Sequence, residues 1–389
     1  MKNQIKPLFR DALLVCEQEG LLGGTFFAID GCKMPSNASK ELGGTFSELQ
    51  NRKEKIEQKI KLLVEDHIEK DKKECTERGQ TLSSREKQIE RLHKQAEKIE
   101  KWLAENEKKI GSNGKELRSN ITDNDSTKMY TSHGTVQGYN SQAIVDSKHQ
   151  VIVHGEALGR GPDNENLPPV VDGAKENFES IGKPPDYFED KILTADSSYH
   201  SIPNLNKCTE EKIDAYIPDN RFRNRDKRFA TRVGYQPRSK KFTFADYQYD
   251  REKNQFICPN GKRLKRHNKP KLQKGKILRV YVSNESDCRC CQLRAKCLRN
   301  KDTKCRYLSY YADASGENIS HTMIKKIDSE KGRKIYPRRI AIVEPVFANI
   351  RTQKRMDKFN LRGKIKVNIQ WLLYCMVHNI EKVANYGFS

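Results

Sequence analysis

LLGGTFFAIDGCKM, residues 21–34, sets the apolar run Thr25-Phe26-Phe27-Ala28-Ile29 between glycines and ends it on Asp30, with Gly31 directly behind. A short apolar run bounded by turn formers predicts a buried strand. A second run of the same kind, Lys191-Ile192-Leu193-Thr194-Ala195, ends on Asp196, followed by the turn residues Ser197-Ser198. Two strands that each end on an Asp, with a later helical stretch carrying Glu344, predict an α/β protein with carboxylates at its strand ends. Hard divalent cations prefer carboxylate oxygens converging from different elements, and paired ions suit phosphodiester chemistry. Spacing alone leaves the alternative open, because an Asp at a strand end is often a turn former or a helix cap.

Outward from these strands the chain changes character several times. From Ser47 to about Arg118, Lys and Glu dominate and Pro is absent. Ile56, Ile60 and Leu63 form one helical stripe; Ile89, Leu92, Ala96, Ile99 and Leu103 form another. Between them lies Arg78-Gly79-Gln80-Thr81-Leu82-Ser83-Ser84, with Glu86 at capping-box spacing from Ser83. This predicts an antiparallel helical hairpin whose charges form a solvated face. Next, Gly138 to Asp146 and Gln150 to Gly155 flank Ser147-Lys148-His149, the pattern of a β-hairpin. Asp163 and Asn164 are candidate caps for a helix running to about residue 179. Residues 221–305 are basic, aromatic and cysteine-bearing, and from Pro337 to about Ala384 the pattern is helical. The expected division is therefore 1–46, first part of a catalytic core; 47–118, helical hairpin insert; 119–220, second part of the core; 221–305, basic Cys-containing insert; and 306–389, C-terminal helical part of the core.

The 389 residues carry 74 Lys plus Arg against 52 Asp plus Glu, a net charge of +22. A surplus of that size points to a polyanion, most commonly nucleic acid. No apolar stretch approaches 18 residues, and Asp11 and Glu17 interrupt the N-terminal one, so neither a membrane span nor a secretory signal is expected. Eleven cysteines without a signal fit reduced thiols in the cytoplasm better than a disulfide framework. No P-loop, dinucleotide fingerprint, metalloprotease helix or nucleophile elbow is present, so no nucleotide cofactor is expected.

The words FFAIDGCKMPSNASKELGGT (26–45), GYNSQAIVDSKHQVIVHGEAL (138–158), ILTADSSYHSIPNL (192–205), AYIPDNRFRNRD (215–226) and YPRRIAIVEPVFANIR (336–351) come in that order. In combination they resemble the DDE transposases of bacterial insertion sequences, over nearly the whole chain. The likeness is to members with a helical insert after the first Asp and a Cys-containing insert after the second. It implies a ribonuclease-H-like fold, a mixed sheet flanked by helices, and a catalytic triad of Asp30, Asp196 and Glu344 holding two Mg²⁺ or Mn²⁺ ions. Such enzymes also place Tyr and Arg before the catalytic Glu, here Tyr336 and Arg339. They carry a Lys two helical turns after it, where this chain has Arg351; Arg can still clamp a phosphate. The implied partners are DNA, as transposon ends and target, and further copies of the chain in a homodimer or higher oligomer. The implied location is the bacterial nucleoid. Family members carry a DNA-binding domain ahead of the first catalytic strand, and only 29 residues precede Asp30, so an N-terminally truncated chain is expected. The rival reading is a catalytically inactive DNA-binding remnant that interferes with a full-length transposase. A coiled-coil scaffold explains only residues 47–118.

Cys288 and Cys291 have the C-x₂-C spacing of a zinc grip, and Cys258 with Cys297 complete a four-thiolate set; buried free thiols are the alternative, since a second C-x₂-C is missing. Cys16, Cys32, Cys75, Cys208 and Cys375 are isolated and expected to pack. Arg221, Arg223, Arg225, Arg228, Lys240 and Lys241 interleave with Phe222, Phe229, Phe242, Phe244 and Tyr247, a pattern suited to phosphate contact with the rings in packing. His200, four residues after Asp196, is expected to be an ordinary hydrogen-bonded histidine, with orientation of a water or phosphate as the alternative, and His378 is expected to be structural.

Overall fold

The computed structural model describes residues 4–73, 82–111, 114–132, 134–233, 235, 241–267, 271–273, 276–300, 302–312 and 318–387. Cys75, Lys240 and most of the expected hairpin turn lie outside them. A six-stranded mixed sheet forms the centre. Its strands are β1 (Phe26–Pro35), β2 (Thr127–Thr131), β3 (Gly134–Asp146), β4 (Ile152–Leu158), β5 (Ile192–Thr194) and β6 (Asp214–Tyr216). The hydrogen-bonded order is β2–β3–β1–β5–β6, with β4 also on β3. β1, β5 and β6 are parallel, and β3 runs antiparallel to β1 and β4. β3 and β4 form the expected hairpin, which turns at Gln150 in a left-handed conformation (φ 60°).

Helices α1 (Ile5–Gln18), α4 (Leu167–Ser180), α5 (Ile202–Glu210), α8 (Arg338–Ala348) and α9 (Lys364–Tyr386) pack around this sheet in one core, joined by α6 (Ile319–Asp328) and α7 (Glu330–Ile335). α4 starts later than Asp163 and Asn164 suggested. Its N-cap is Asn166 and a Pro stands in the first turn, where the missing N–H costs nothing. The β4 edge is closed by side-chain amides of α9. Asn379 accepts from the Ile152 N–H and donates to its carbonyl, both at 2.8 Å; Asn368 does the same at Ala157, at 2.8 and 2.9 Å. Eleven residues are about three helical turns, so both amides face the strand, and the edge offers no template for another chain.

The stretch expected to be helical from Pro337 to Ala384 is divided. α8 widens into a π-type turn over Asn349–Gln353, and a non-helical connection to α9 carries Arg355 and Gly363 at positive φ. Met356 and Phe359 in this connection are buried in the core, and the Phe359 N–H donates to the Pro35 carbonyl at 2.8 Å. Burying these two side chains takes the chain away from helical geometry.

The hairpin insert consists of α2 (Phe46–Lys73) and α3 (Leu82–Glu105). α3 begins at Leu82, ahead of Ser83 and Ser84, so both lie within the helix. Phe46 meets Trp102 and Lys53 pairs with Glu100, so the helices run antiparallel. Leu49, Ile99 and Ile121 centre a small core of their own.

A second, antiparallel sheet holds β7 (Gln248–Asp250), β8 (Gln255–Ile257), β9 (Arg263–Arg266), β10 (Lys271–Gln273), β11 (Lys276–Ser283) and β12 (Tyr307–Ala312) around Tyr247, Phe256, Leu264, Tyr281, Leu308 and Tyr310. β12 pairs with β11, so this sheet runs past residue 305, while Phe222 and Phe229 pack on the main core. Phe242, Phe244 and Tyr247 serve the second core. Among the described residues no helix is long and apolar enough to cross a membrane.

Candidate active site

β1 and β5 are parallel, with Phe26 opposite Ile192 and Ala28 opposite Thr194. The same register carried two residues further sets Asp30 beside Asp196. The first strand does not end on Asp30 as its apolar run suggested: pairing with β3 carries it on to Pro35, so Asp30 lies within β1 and only Asp196 stands past a strand end. The chain turns immediately after Asp196. Its carboxylate caps a 3₁₀ turn, accepting from the Ser198 N–H at 2.8 Å and the Ser198 hydroxyl at 2.5 Å. Asp196 is thus both the expected site residue and a local cap.

Asp30 is more enclosed. Its Oδ1 accepts from the Gly31 N–H at 2.8 Å and its Oδ2 from Arg339 Nη1 at 2.6 Å. Burial raises the Asp30 pKa above the ordinary value; Arg339 opposes this and the Asp196 charge reinforces it. Burial works against the Arg339 charge as well, but Asp30, Tyr336 and Asp196 outweigh it. Tyr336, its hydroxyl pKa raised by burial and opposed by the Arg339 charge, packs edge-on against Phe222 at 5.2 Å. Of the Tyr-x-x-Arg pair ahead of Glu344, Arg339 sets its guanidinium on Asp30.

Glu344 and Arg351 share with Asp30 the wall of an open cavity of about 530 Å³, which Cys32 and Asp357 also line. Glu344 is exposed there and has no ion-pair partner among the described residues. Pro345 follows it inside α8 and has no N–H for the carbonyl of Ala341 one turn back. Gln150 supplies the missing donor at 3.0 Å, which ties this turn to the β3–β4 hairpin. Burial raises the Cys32 thiol pKa, and the nearby Arg351 charge opposes this. Cys32, expected only to pack, also faces the site; its position two residues beyond Asp30 on one strand puts both on the same side.

A polar network behind Asp196 had no signal in the sequence beyond strand residues that are unusually polar. Asp163 accepts from Asn140 at 2.6 Å, Gln142 at 3.0 Å and Ser198 at 3.0 Å, and Ser198 bridges on to Asp196. Asn140 and Gln142 are fully buried on β3, and Gln142 also accepts from the Tyr199 hydroxyl.

The other expected contacts divide. Arg225 is clamped by Asp219 and Asp328 and is a structural cation. Arg223 lies over the rings of Phe222 and Phe229, at 5.4 and 5.6 Å, and lines a cavity of about 210 Å³ with Tyr336 and Arg339. Arg221 is exposed. His200 is hydrogen-bonded to the Ile217 carbonyl and the Ser320 hydroxyl, and burial lowers its pKa. His378 is hydrogen-bonded to the Gln150 carbonyl.

Among the described residues no three His, Cys, Asp or Glu side chains converge into a group able to hold a metal ion. For the thiols the arrangement does not fit zinc. Cys297 meets the Tyr247 hydroxyl at 3.1 Å, Cys288 the Ser283 hydroxyl at 3.0 Å and Cys291 the Asn260 amide at 3.5 Å, while Cys258 packs on the aromatic core. For the carboxylates the donor chemistry does fit a hard divalent cation. Asp30 is side by side with Asp196 and shares a cavity with Glu344, and Arg339 is the counter-charge on Asp30.

Residues 257–384 match the family model described as a transposase DDE domain. The matched stretch contains Tyr336, Arg339, Glu344 and Arg351, and leaves out Asp30 and Asp196. No curated protein matches the chain. A cryo-EM structure of a piggyBac transposase synaptic complex with hairpin DNA aligns at 13% identity and a TM-score of 0.24, over 66% of this chain and 44% of that one, a likeness too low to carry an argument. Residues 257–384 are thus similar to the DDE domain of transposases.

Proposed function

We propose that the chain is a DNA transposase that cleaves and joins phosphodiesters at insertion-sequence ends through Asp30, Asp196 and Glu344. The observation that carries this reading is the parallel β1–β5 register, which sets Asp30 beside Asp196 while α8 brings Glu344 to the cavity that Asp30 lines. The mixed sheet flanked by helices supports a ribonuclease-H-like core, and the match over 257–384 supports a transposase.

Asp30, Asp196 and Glu344 would hold two Mg²⁺ or Mn²⁺ ions. When bound, such ions lower the pKa of the attacking hydroxyl and stabilise the leaving oxygen. Arg339 neutralises Asp30 until a cation competes for it, which keeps the adjacent Asp30 and Asp196 from carrying two unopposed negative charges. Ser198 orients Asp196. Arg351, exposed on the cavity wall, presents a fork-shaped donor suited to a phosphate, and Arg221 and Arg223 lie where they can support the DNA backbone. Water or a DNA 3′-hydroxyl attacks in line, with no covalent protein intermediate.

Mn²⁺ titration followed by electron paramagnetic resonance tests the ligand assignment. Asp30→Asn with Glu344→Gln is expected to weaken Mn²⁺ binding at least ~10-fold, since two of three anionic ligands are lost. Equal binding by the wild type and this variant would remove these residues from the site.

A further inference from the structure

A second cleft, of about 630 Å³, opens at the root of the helical hairpin, away from the carboxylates. Arg52, Lys55 and Lys59 line it from α2, and Arg118 from the chain that returns to the sheet. The spacing of Arg52, Lys55 and Lys59 keeps all three on one helical stripe. Lys53, Lys94 and Lys101 elsewhere on the hairpin are held in ion pairs. The three stripe cations have no ion-pair partner among the described residues. The one acidic side chain in the cleft, Glu48, is occupied by Arg118 at 2.8 Å. The floor is apolar, formed by Leu49, Ile56 and Leu92.

We infer that this cleft binds the phosphate backbone of DNA, so that the hairpin is a second contact surface and not only a solvated insert. Residues 52 to 59 span about 10 Å of helix, close to the axial run of three nucleotide steps at about 3.4 Å each. Unpaired cations above an apolar floor attract a polyanion and give no pattern for reading base edges. The contact is therefore sequence-independent. Exposed Lys and Arg side chains release counterions on binding, and the contact should show in the salt dependence. The inference rests on the reading that DNA is the partner.

The test is the slope of log K against log salt for duplex DNA. It compares the wild type, Arg52→Gln/Lys55→Gln/Lys59→Gln, and a control, Lys61→Gln/Lys87→Gln/Lys98→Gln, which removes the same charge from exposed positions off the cleft. The cleft variant is expected to bind at least ~10-fold more weakly near 0.1 M salt, with a slope smaller by about 2–3, since each phosphate contact contributes about 0.9. The control should stay within about 3-fold of wild type, and all three proteins should give the same circular dichroism. Equal losses in both variants would reduce the effect to net charge. An unchanged slope in the cleft variant would overturn the inference while leaving DNA binding intact, and would direct attention to an acidic protein as occupant. A wild type that binds no DNA would defeat the functional reading and the cleft with it.

Discussion

At Gly31 the site allows no side chain. A Cβ there would collide with Gln142 Nε2 and lie 2.6 Å from Asn140 Oδ1. Both amides are fully buried and anchored to Asp163, so neither can swing aside without breaking the network that reaches Asp196 through Ser198. Gly31→Ala is expected to lower stability by about 1–3 kcal/mol, the usual range for an overpacked core, and to reduce any activity of the site. An urea-unfolding midpoint equal to that of wild type would show that the network is looser than its hydrogen bonds suggest. At this scale the sequence marks Asp30 and Asp196 as candidates, because an Asp that follows an apolar run is visible in one dimension. It was silent on the network role of Asp163, which reads only as a helix cap, and on the second role of Cys32. Their importance comes from pairing between β3, β1 and the turn after β5, which no local pattern records. Arg225 carried the opposite error: its basic neighbourhood suggested phosphate, and its two Asp partners come from residues 6 and 103 positions away.

Helices and strands were legible where their periodicity was strong. The β3–β4 hairpin and the antiparallel pair α2–α3 follow from alternation and from 3-4 spacing. The interruption between α8 and α9 does not, because it is caused by burial of Met356 and Phe359, a tertiary effect that overrides local preference. The start of α4 at Leu167 was likewise obscured by Asp163, which reads as a cap and serves the site network. The amide brace from α9 to β4 belongs to this scale. Replacing Asn379 with Ala leaves the Ile152 N–H and carbonyl unpaired in a buried place. The expected cost is on the order of 3 kcal/mol, from ~1–3 kcal/mol for each group left without a partner. Hydrogen exchange should then show lost protection in β4 before β1. Protection lost evenly across the sheet, or not at all, would argue against a brace specific to that edge.

For the molecule as a whole, acid sensitivity follows from two buried histidines. Burial lowers the His154 pKa from 6.5 to about 3 and that of His378 to about 4. His154 shares a hydrogen bond with Asn177, and its buried Nε2 has no partner among the described residues. Both stay neutral in the folded chain while the unfolded chain takes up protons below pH 6.5, so their contribution is fully present above that pH. It is lost as pH falls toward 4 and 3, at about 1.4 kcal/mol per pH unit for each histidine. Urea unfolding between pH 7 and 4 should show this decline, and His154→Gln with His378→Gln should flatten it; an unchanged slope would place the acid sensitivity in the carboxylates. In the proposed reading the net charge of +22 serves DNA contact, while the described residues pack around three separate centres. The central claim is that Asp30, Asp196 and Glu344 form one phosphodiester-cleaving site. It is tested most directly by nicking of supercoiled plasmid in Mg²⁺ and in Mn²⁺, with wild-type protein beside Asp196→Ala. Metal-dependent nicking by the wild type, absent in a variant with the same circular dichroism and DNA affinity, is the predicted result. Nicking that survives Asp196→Ala would contradict the site, and a folded, DNA-binding wild type that never nicks would be the catalytically inactive remnant.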